Sequence, residues 1–306
     1  MKTLKTIILS VGMASLLLVP AIAQANNQKI DESLKAAEGG QLRFKIVDGD
    51  VDFKHWDKQT IRVVGELGDN NQQLVFFNDG TETVIKIETE KGYYNRSHNG
   101  WSGSDTKLEV FMPADTKLFA QGTSGDFSIN GLTNGVKVKN VSGDISIFNS
   151  QLSIEAYSSS GDIRLENCQG EIHVEAVSGD VDAVVNANRF EVSTISGDLM
   201  ASIGNAERVE VSSVSGDIEL ELALADSGTV EGSTVSGDIE LVFNQRTLNA
   251  HFDLTTGPGG DIDNGLTADR PKESWVQAEI LEFKVGKGSA LVELETVSGT
   301  IEVLKK

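Results

Sequence analysis

The stretch from residue 123 to residue 242 writes one phrase seven times: TSGDFSIN (123–130), VSGDISIF (141–148), SSGDIRLE (159–166), VSGDVDAV (177–184), ISGDLMAS (195–202), VSGDIELE (214–221) and VSGDIELV (235–242). Its glycines are 18 residues apart four times running, then 19, then 21. A fixed period of this size marks a repeat architecture, in which each unit buries its apolar face only against its neighbours.

Aligned on the glycine, the second residue after it is always apolar: Phe127, Ile145, Ile163, Val181, Leu199, Ile218 and Ile239. So is the fourth, from Ile129 and Ile147 to Leu241, while Ser128, Ser146, Arg164, Asp182, Met200, Glu219 and Glu240 stand between. That alternation is a short, half-buried strand. A second strand begins about eleven residues after the glycine, with Val136, Ile154, Ile172 and Phe190 inward and Lys137, Glu155, His173 and Glu191 outward. The residue before the serine is usually apolar too, as at Val141, Val177, Ile195, Val214 and Val235.

Each unit thus supplies two strands and two corners. The expected fold class is all-β, a parallel β-solenoid (a single-stranded β-helix) with coils of about 18 residues, strands about 4.8 Å apart along the axis. Its handedness is not set by the sequence. A β-sandwich is the rival architecture, but it does not require the same turn chemistry seven times. Helix is disfavoured by the β-branched residues, the glycine punctuation and the period of two.

The corner explains the motif. Gly125, Gly143, Gly161, Gly179, Gly197, Gly216 and Gly237 supply left-handed backbone without penalty. Asp126, Asp144, Asp162, Asp180, Asp198, Asp217 and Asp238 fall in a column, where carboxylates one coil apart repel by roughly 0.9 kcal/mol in water. Backbone N–H donors at the corner are expected to offset that. Calcium bridging between coils is the alternative; no other cofactor or metal set is expected.

Outward from the repeat, residues 1–25 read as a secretory signal peptide: Lys2 and Lys5, an apolar run from Ile7 to Val19, and an Ala23-Gln24-Ala25 cleavage site. Cleavage there leaves residues 26–306 as one solenoid domain with no later membrane-spanning run. Within it, residues 26–122 are expected to form irregular coils, 123–245 the regular repeats, and 246–306 longer coils and a cap. Residues 26–40 are expected as a helical turn or a disordered lead-in. Strands are expected at 41–46, 51–53, 61–63, 73–77, 84–87 and 108–112, and again at 280–285, 290–295 and 299–303; residues 267–274 are expected as an exposed loop. Gly257–Asp261 reads as a variant corner, and Lys305-Lys306 as a guard against edge pairing.

The net charge of −20 argues against nucleic acid or anionic lipid as a partner, since both would be repelled. Cys168 is the only cysteine, so no disulfide framework exists, and a turn residue beside Leu132, Ser150 and Asn186 of the repeat is expected. His55, His98, His173 and His251 are scattered. The loop 92–103 differs in composition: Tyr93, Tyr94, His98 and Trp101 sit in a polar, glycine-rich segment without strand period, the candidate ligand- or partner-binding residues. The contrary expectation is that they cover a face of the sheet.

Several segments together resemble the bacterial "putative adhesin" family of β-strand-repeat proteins. They are Gly39-Gly40-Gln41-Leu42 leading into Gly49-Asp50-Val51, Trp56-Asp57 with Val64-Gly65-Glu66-Leu67-Gly68, the Ser-Gly-Asp units, and Gly288-Ser289-Ala290 with Thr296-Val297-Ser298-Gly299-Thr300-Ile301. The resemblance implies an exported β-solenoid of the envelope and carries over no catalytic residue. Thr300, where the repeat has Asp, is expected to mark a terminal coil.

The function expected is therefore a non-enzymatic envelope protein, periplasmic or at the cell surface. It would be adhesin-like, a scaffold or a sensor, and monomeric, with an envelope protein or glycan as partner. A polysaccharide lyase or hydrolase on a β-helix is one alternative, although basic residues are sparse in the regular region. A self-assembling structural element is the other.

Overall fold

Strand follows strand along this chain because its inward positions alternate with polar ones and glycine or asparagine breaks each run. The computed structural model describes residues 28–36, 40–68, 72–89, 106–275 and 277–306. Among the described residues there are 23 strands and no helix. The fold is β-solenoid-like, dominated by parallel pairing. The leader expected at residues 1–25 and the segment 92–103, with the candidate binding residues Tyr93, Tyr94, His98 and Trp101, lie outside the described residues.

Each rung has two faces. The first runs out of the Ser-Gly-Asp corner, as in Ile145–Phe148; the second runs into the next one, as in Ser153–Ser160. Ile145 pairs with Phe127 on one side and Ile163 on the other, all parallel and without a slip. Val136, Ile154 and Ile172 are likewise in register on the second face. The parallel ladder continues through Val181–Ser196, Leu199–Ser215 and Ile218–Ser236. This excludes the antiparallel hairpins of a sandwich in the regular region.

Both ends depart from chain order. At the start, Gln41–Lys45 and Asp50–Trp56 form one rung. The chain then turns back through the antiparallel strands Thr60–Leu67 and Gln72–Asn78. It lays Glu82–Thr89 and Lys107–Pro113 on the outer side of that first rung. Only then do Lys117–Gln121 and Phe127–Asn130 cover its other side. Residues 28–35 are neither helical nor a lead-in: Gln28–Lys35 is a strand, antiparallel to Thr60–Leu67, with Ile30 buried against the end of the core. The irregular coils expected over residues 26–122 are therefore parallel rungs stacked out of chain order, covered on the outer side by antiparallel strands.

The C-terminal end repeats the device. Ala290–Ser298 and Thr300–Lys305 slide between the last regular rung and the rung made by Ala250–Pro258 and Asp261–Asn264. The chain's final rung is thus interior, which corrects the expectation that Thr300 marks a terminal coil. Lys305 and Lys306 guard no free edge either, since Thr300–Lys305 has a neighbour on each side and Lys306 pairs with Glu221 at 2.6 Å. The outer cover is Ala278–Val285, antiparallel to Ala250–Pro258, followed by the two-residue strand Lys272–Glu273 within the expected loop.

The bore is filled by aliphatic columns and plugged by aromatics where the order breaks. Phe44, Phe53 and Phe127 meet edge to face at 5.0–6.3 Å at one end. Phe252 stacks on Phe283 at 4.5 Å and meets Phe243 at 5.8 Å at the other. Each fully buried phenylalanine contributes about 1.5–3 kcal/mol, so the interleaved rungs are held by their side chains as well as by their ladders.

The glycine of the corner is required by space and by dihedral. At Gly179 φ is +132°, and an added Cβ would fall less than 3.0 Å from the carbonyl oxygen of Gly161. We expect Gly179→Ala to lower stability by about 2–4 kcal/mol, seen as an earlier urea midpoint. Gly204→Ala, where φ is not positive and the nearest atom is the Asn186 side chain at 3.1 Å, should shift it by less than about 0.5 kcal/mol. Equal effects at the two positions would contradict the close-approach account.

Candidate functional site

Stacking turns each repeat position into a column, so the candidate surfaces are columns rather than a cleft. Ten corner glycines stack in the order Gly49, Gly125, Gly143, Gly161, Gly179, Gly197, Gly216, Gly237, Gly299 and Gly260. Beside them the aspartates form a ladder of one-way hydrogen bonds. The amide of Asp144 donates to Asp126 Oδ1 at 2.9 Å, that of Asp162 to Asp144, and that of Asp180 to Asp162. The series continues through Asp198, Asp217 and Asp238, and the Thr300 amide closes it on Asp238 at 2.6 Å. Each carboxylate therefore accepts the next rung's N–H, the offset that a stacked column of like charges needs. Among the described residues no group of three or more His, Cys, Asp or Glu side chains is arranged to hold a metal ion.

One position inside this corner escaped the sequence reading. Three residues before the glycine the chain places Asn140, Ser158, Thr194, Ser213, Thr234 and Thr296, all buried polar groups. Several serve the corner's carbonyls: Asn140 Nδ2 donates to Gly125 O at 2.8 Å, Ser158 Oγ to Gly161 O at 3.1 Å, and Thr296 Oγ1 to Gly237 O at 3.2 Å, while Thr194 Oγ1 donates to Ser213 Oγ at 3.0 Å. Their recurrence as Asn, Ser or Thr was the available signal.

The opposite corner has its own asparagines, of which Asn149 and Asn167 stack one coil apart. Asn149, Asn167 and Asn205 take φ near +52° to +54°, and Asn167 Nδ2 donates to Asn149 Oδ1 at 2.6 Å. Cys168 is buried here, its thiol 3.4 Å from Ile147 O. Burial pushes its pKa up, against weaker backbone hydrogen bonds with Ser150 and Glu166, which makes it a poor nucleophile. A register shift puts Val185 beside it, where the repeat spacing suggested Asn186.

The valines and isoleucine before the corner serine point outward. With Val47, which precedes Asp48 in the equivalent place, Val141, Val177, Ile195, Val214, Val235 and Val297 form a half-exposed ridge interrupted by Thr123 and Ser159. Beside it lies a groove of about 480 Å³ over Lys139, Tyr157, Glu175 and Ser193.

The second face changes sign along its length. Glu191, Glu210, Glu231, Glu293 and Asp253 line one end, over a groove of about 430 Å³. Arg208 bridges Glu210 at 3.0 Å and Glu231 at 3.5 Å. His173 lies between Glu175 at 3.0 Å and Glu191 at 3.5 Å. The other end is cationic and aromatic. Lys117 Nζ stands 5.2 Å from the Phe119 ring centre and the Arg43 guanidinium 5.6 Å from it. Lys139 and Lys137 stand 4.2 and 5.2 Å from that of Tyr157. Lys137 is also paired with Glu155, which raises the lysine's pKa and holds the carboxyl below its ordinary range. Burial, and then the hydrogen bond donated to Glu155, pushes the Tyr157 phenol up. No sequence motif announces this cluster, because the strands that carry Arg43, Lys86 and Lys117 become neighbours only through the broken chain order.

The family comparison agrees with this architecture. The Toastrack DUF4097 family model matches residues 40–304, and the chain belongs to that family. No curated relative matches the chain. Among solved structures it is similar to a "putative adhesin" from Bacteroides fragilis, at 13% identity and a TM-score of 0.43, covering 91% of this chain and 98% of that one. It is also similar to a "Putative lipid binding protein" from Parabacteroides distasonis, at 12% identity and a TM-score of 0.40, covering 92% and 98%. A "putative cell adhesion protein" from Clostridium sporogenes matches at 8% identity and a TM-score of 0.25, covering 91% and 100%.

The aspartate ladder makes a sharp forecast. Asp162→Asn keeps the Oδ1 acceptor for the Asp180 amide and removes one charge from the column, so its melting temperature should equal or exceed that of the parent. Asp162→Ala leaves that amide without its acceptor and should cost about 1 kcal/mol. Equal losses in both variants would show that the charge, and not the acceptor, matters.

Proposed function

We propose that this member of the Toastrack DUF4097 family is an exported, non-enzymatic interaction protein of the bacterial cell envelope, periplasmic or at the cell surface. The observation that carries the reading is the regular stacking of outward positions, one row per strand position, along the parallel rungs of both faces. Rungs about 4.8 Å apart offer many equivalent weak contacts to an extended partner. Export rests on the leader-like residues 1–25, and the resemblance to adhesin-like proteins points the same way. The partner would be an envelope protein or a glycan, engaged by a monomeric rod.

A polysaccharide lyase or hydrolase is the second reading, favoured by the neighbouring carboxylates Glu191, Glu210 and Glu231 on consecutive rungs. Such spacing approaches the separation of about 5–5.5 Å used by retaining glycosidases. Against it, Arg208 already bridges two of the three. Self-assembly through rung edges is disfavoured by the antiparallel covers at both ends.

Co-sedimentation of the purified protein with envelope glycan, including peptidoglycan sacculi, tests the reading. Saturable binding without release of reducing ends is expected; release would move the protein to the enzyme class, and absence of binding would remove the glycan partner. In parallel, a chelator should leave the melting temperature unchanged, since amide donors already serve the corner carboxylates. A drop of several degrees would restore calcium as a structural ligand.

A further inference from the structure

The cationic end of the second face is assembled from rungs that the chain visits out of order. Lys86 lies beside Lys45, the strand carrying Arg43 and Lys45 lies beside that of Lys117 and Phe119, and Lys137 and Lys139 follow. Tyr157 pairs with Lys139 on the fifth rung. Arg43 is paired with Glu82 and Lys137 with Glu155. Lys45, Lys86, Lys117 and Lys139 have no carboxylate at ion-pair distance among the described residues. Four uncompensated cations in one patch of a chain with net charge −20 are the reverse of the surrounding surface.

We propose that this patch binds a linear acidic glycan, a polysaccharide carrying a carboxylate or phosphate on each sugar or each second sugar. The assignment rests on the interaction reading above and names the partner of one of its surfaces. Three features select this ligand. Lys86, Lys45 and Lys139 share one row that spans four rungs, about 14 Å, with Lys117 four residues off it, which gives roughly one free cation per 5–7 Å of the row. That suits a sparsely charged chain better than a nucleic acid, with about one charge per 3.4 Å of each strand. The same face turns acidic at Glu191, Glu210 and Glu231, so a flat anionic membrane laid on the patch would meet those carboxylates as well. A linear chain can end before them.

The aromatic rings supply the rest. Phe119 carries Arg43 and Lys117 against its ring, and Tyr157 carries Lys137 and Lys139. Cation–π contact holds these long side chains near the sheet, so less rotamer freedom is lost on binding. The half-exposed rings also offer apolar surface to the C–H faces of sugars between the charged groups.

Fluorescein-labelled oligogalacturonate, titrated with the purified protein and read by anisotropy, tests the assignment. Binding should be saturable and should weaken by about tenfold or more between roughly 50 and 200 mM salt. Neutral dextran should not compete. Lys45→Gln, Lys86→Gln and Lys139→Gln combined should weaken binding by about tenfold or more, whereas Glu210→Gln with Glu231→Gln should not weaken it. Circular dichroism and melting report whether each variant is folded, and the salt titration of the unaltered protein decides independently of any variant. Absent or salt-insensitive binding would overturn the proposal. So would undiminished binding by the folded triple variant, or tighter binding of single-stranded DNA or phosphatidylglycerol vesicles. A protein that sediments with sacculi yet ignores oligogalacturonate would refute this patch while leaving the broader function standing.

Discussion

Main chain meets main chain at one corner of every rung, and the rest of the molecule is built around that contact. The Gly143 corner sits so close to the carbonyl of Gly125 that no side chain fits between them. That proximity lets the ladder run through the corner, with Gly143 N donating to Ser160 O at 3.1 Å and Ile145 N to Asp162 O at 2.9 Å. It also brings each aspartate within reach of the next rung's amide. An inner hydroxyl or amide from Asn140, Ser158 or Thr296 supports the same turn from within. Glycine and aspartate are thus accounted for by packing and hydrogen bonding at the bend, leaving the outward columns free to vary.

The two ends show what a solenoid must do to stop. An uncovered rung presents unpaired N–H and C=O groups to solvent and to other chains. Here antiparallel strands cover each end, and a rung from elsewhere in the chain is placed inside the stack rather than on it. The phenylalanine clusters lie at those places, where wide side chains replace the aliphatic filling of the middle. Such interleaving ties residues far apart in sequence: Thr229–Phe243 cannot complete its ladder until the last sixteen or so residues have been made.

Much of the middle was legible from residues alone. The 18-residue spacing, the inward positions at Ile145 and Ile147, and the corner role of Gly143 and Asp144 follow from period and side-chain type. The ends were not legible for a physical reason. Gln41–Lys45, Glu82–Thr89 and Lys117–Gln121 share one alternating pattern, and such a pattern says which side faces the core without saying which strand lies alongside. The ridge from Val141 to Val297 was hidden in the same way, since apolar residues adjoining a bend do not reveal which side they take. The aromatic-cationic patch depends on strand order as well, so its lysines read as scattered surface charges. Tyr93, Tyr94, His98 and Trp101 were singled out for composition, and their placement remains outside the described residues.

The surface therefore inherits its chemistry from the stacking order, and the stacking order inherits its rule from the corner. If corner stacks on corner whatever the chain order, then Ser236 and Ser298 are lateral neighbours while Ser236 and Pro258 are two rungs apart. Paired cysteines at 236 and 298 should form a disulfide readily in the folded protein, because adjacent strands bring their Cα atoms within the usual bridging distance of about 4.4–6.8 Å. A pair at 236 and 258 should not. Cross-linking of 236 to 258, with 298 left free, would place the rungs in simple chain order and contradict the account.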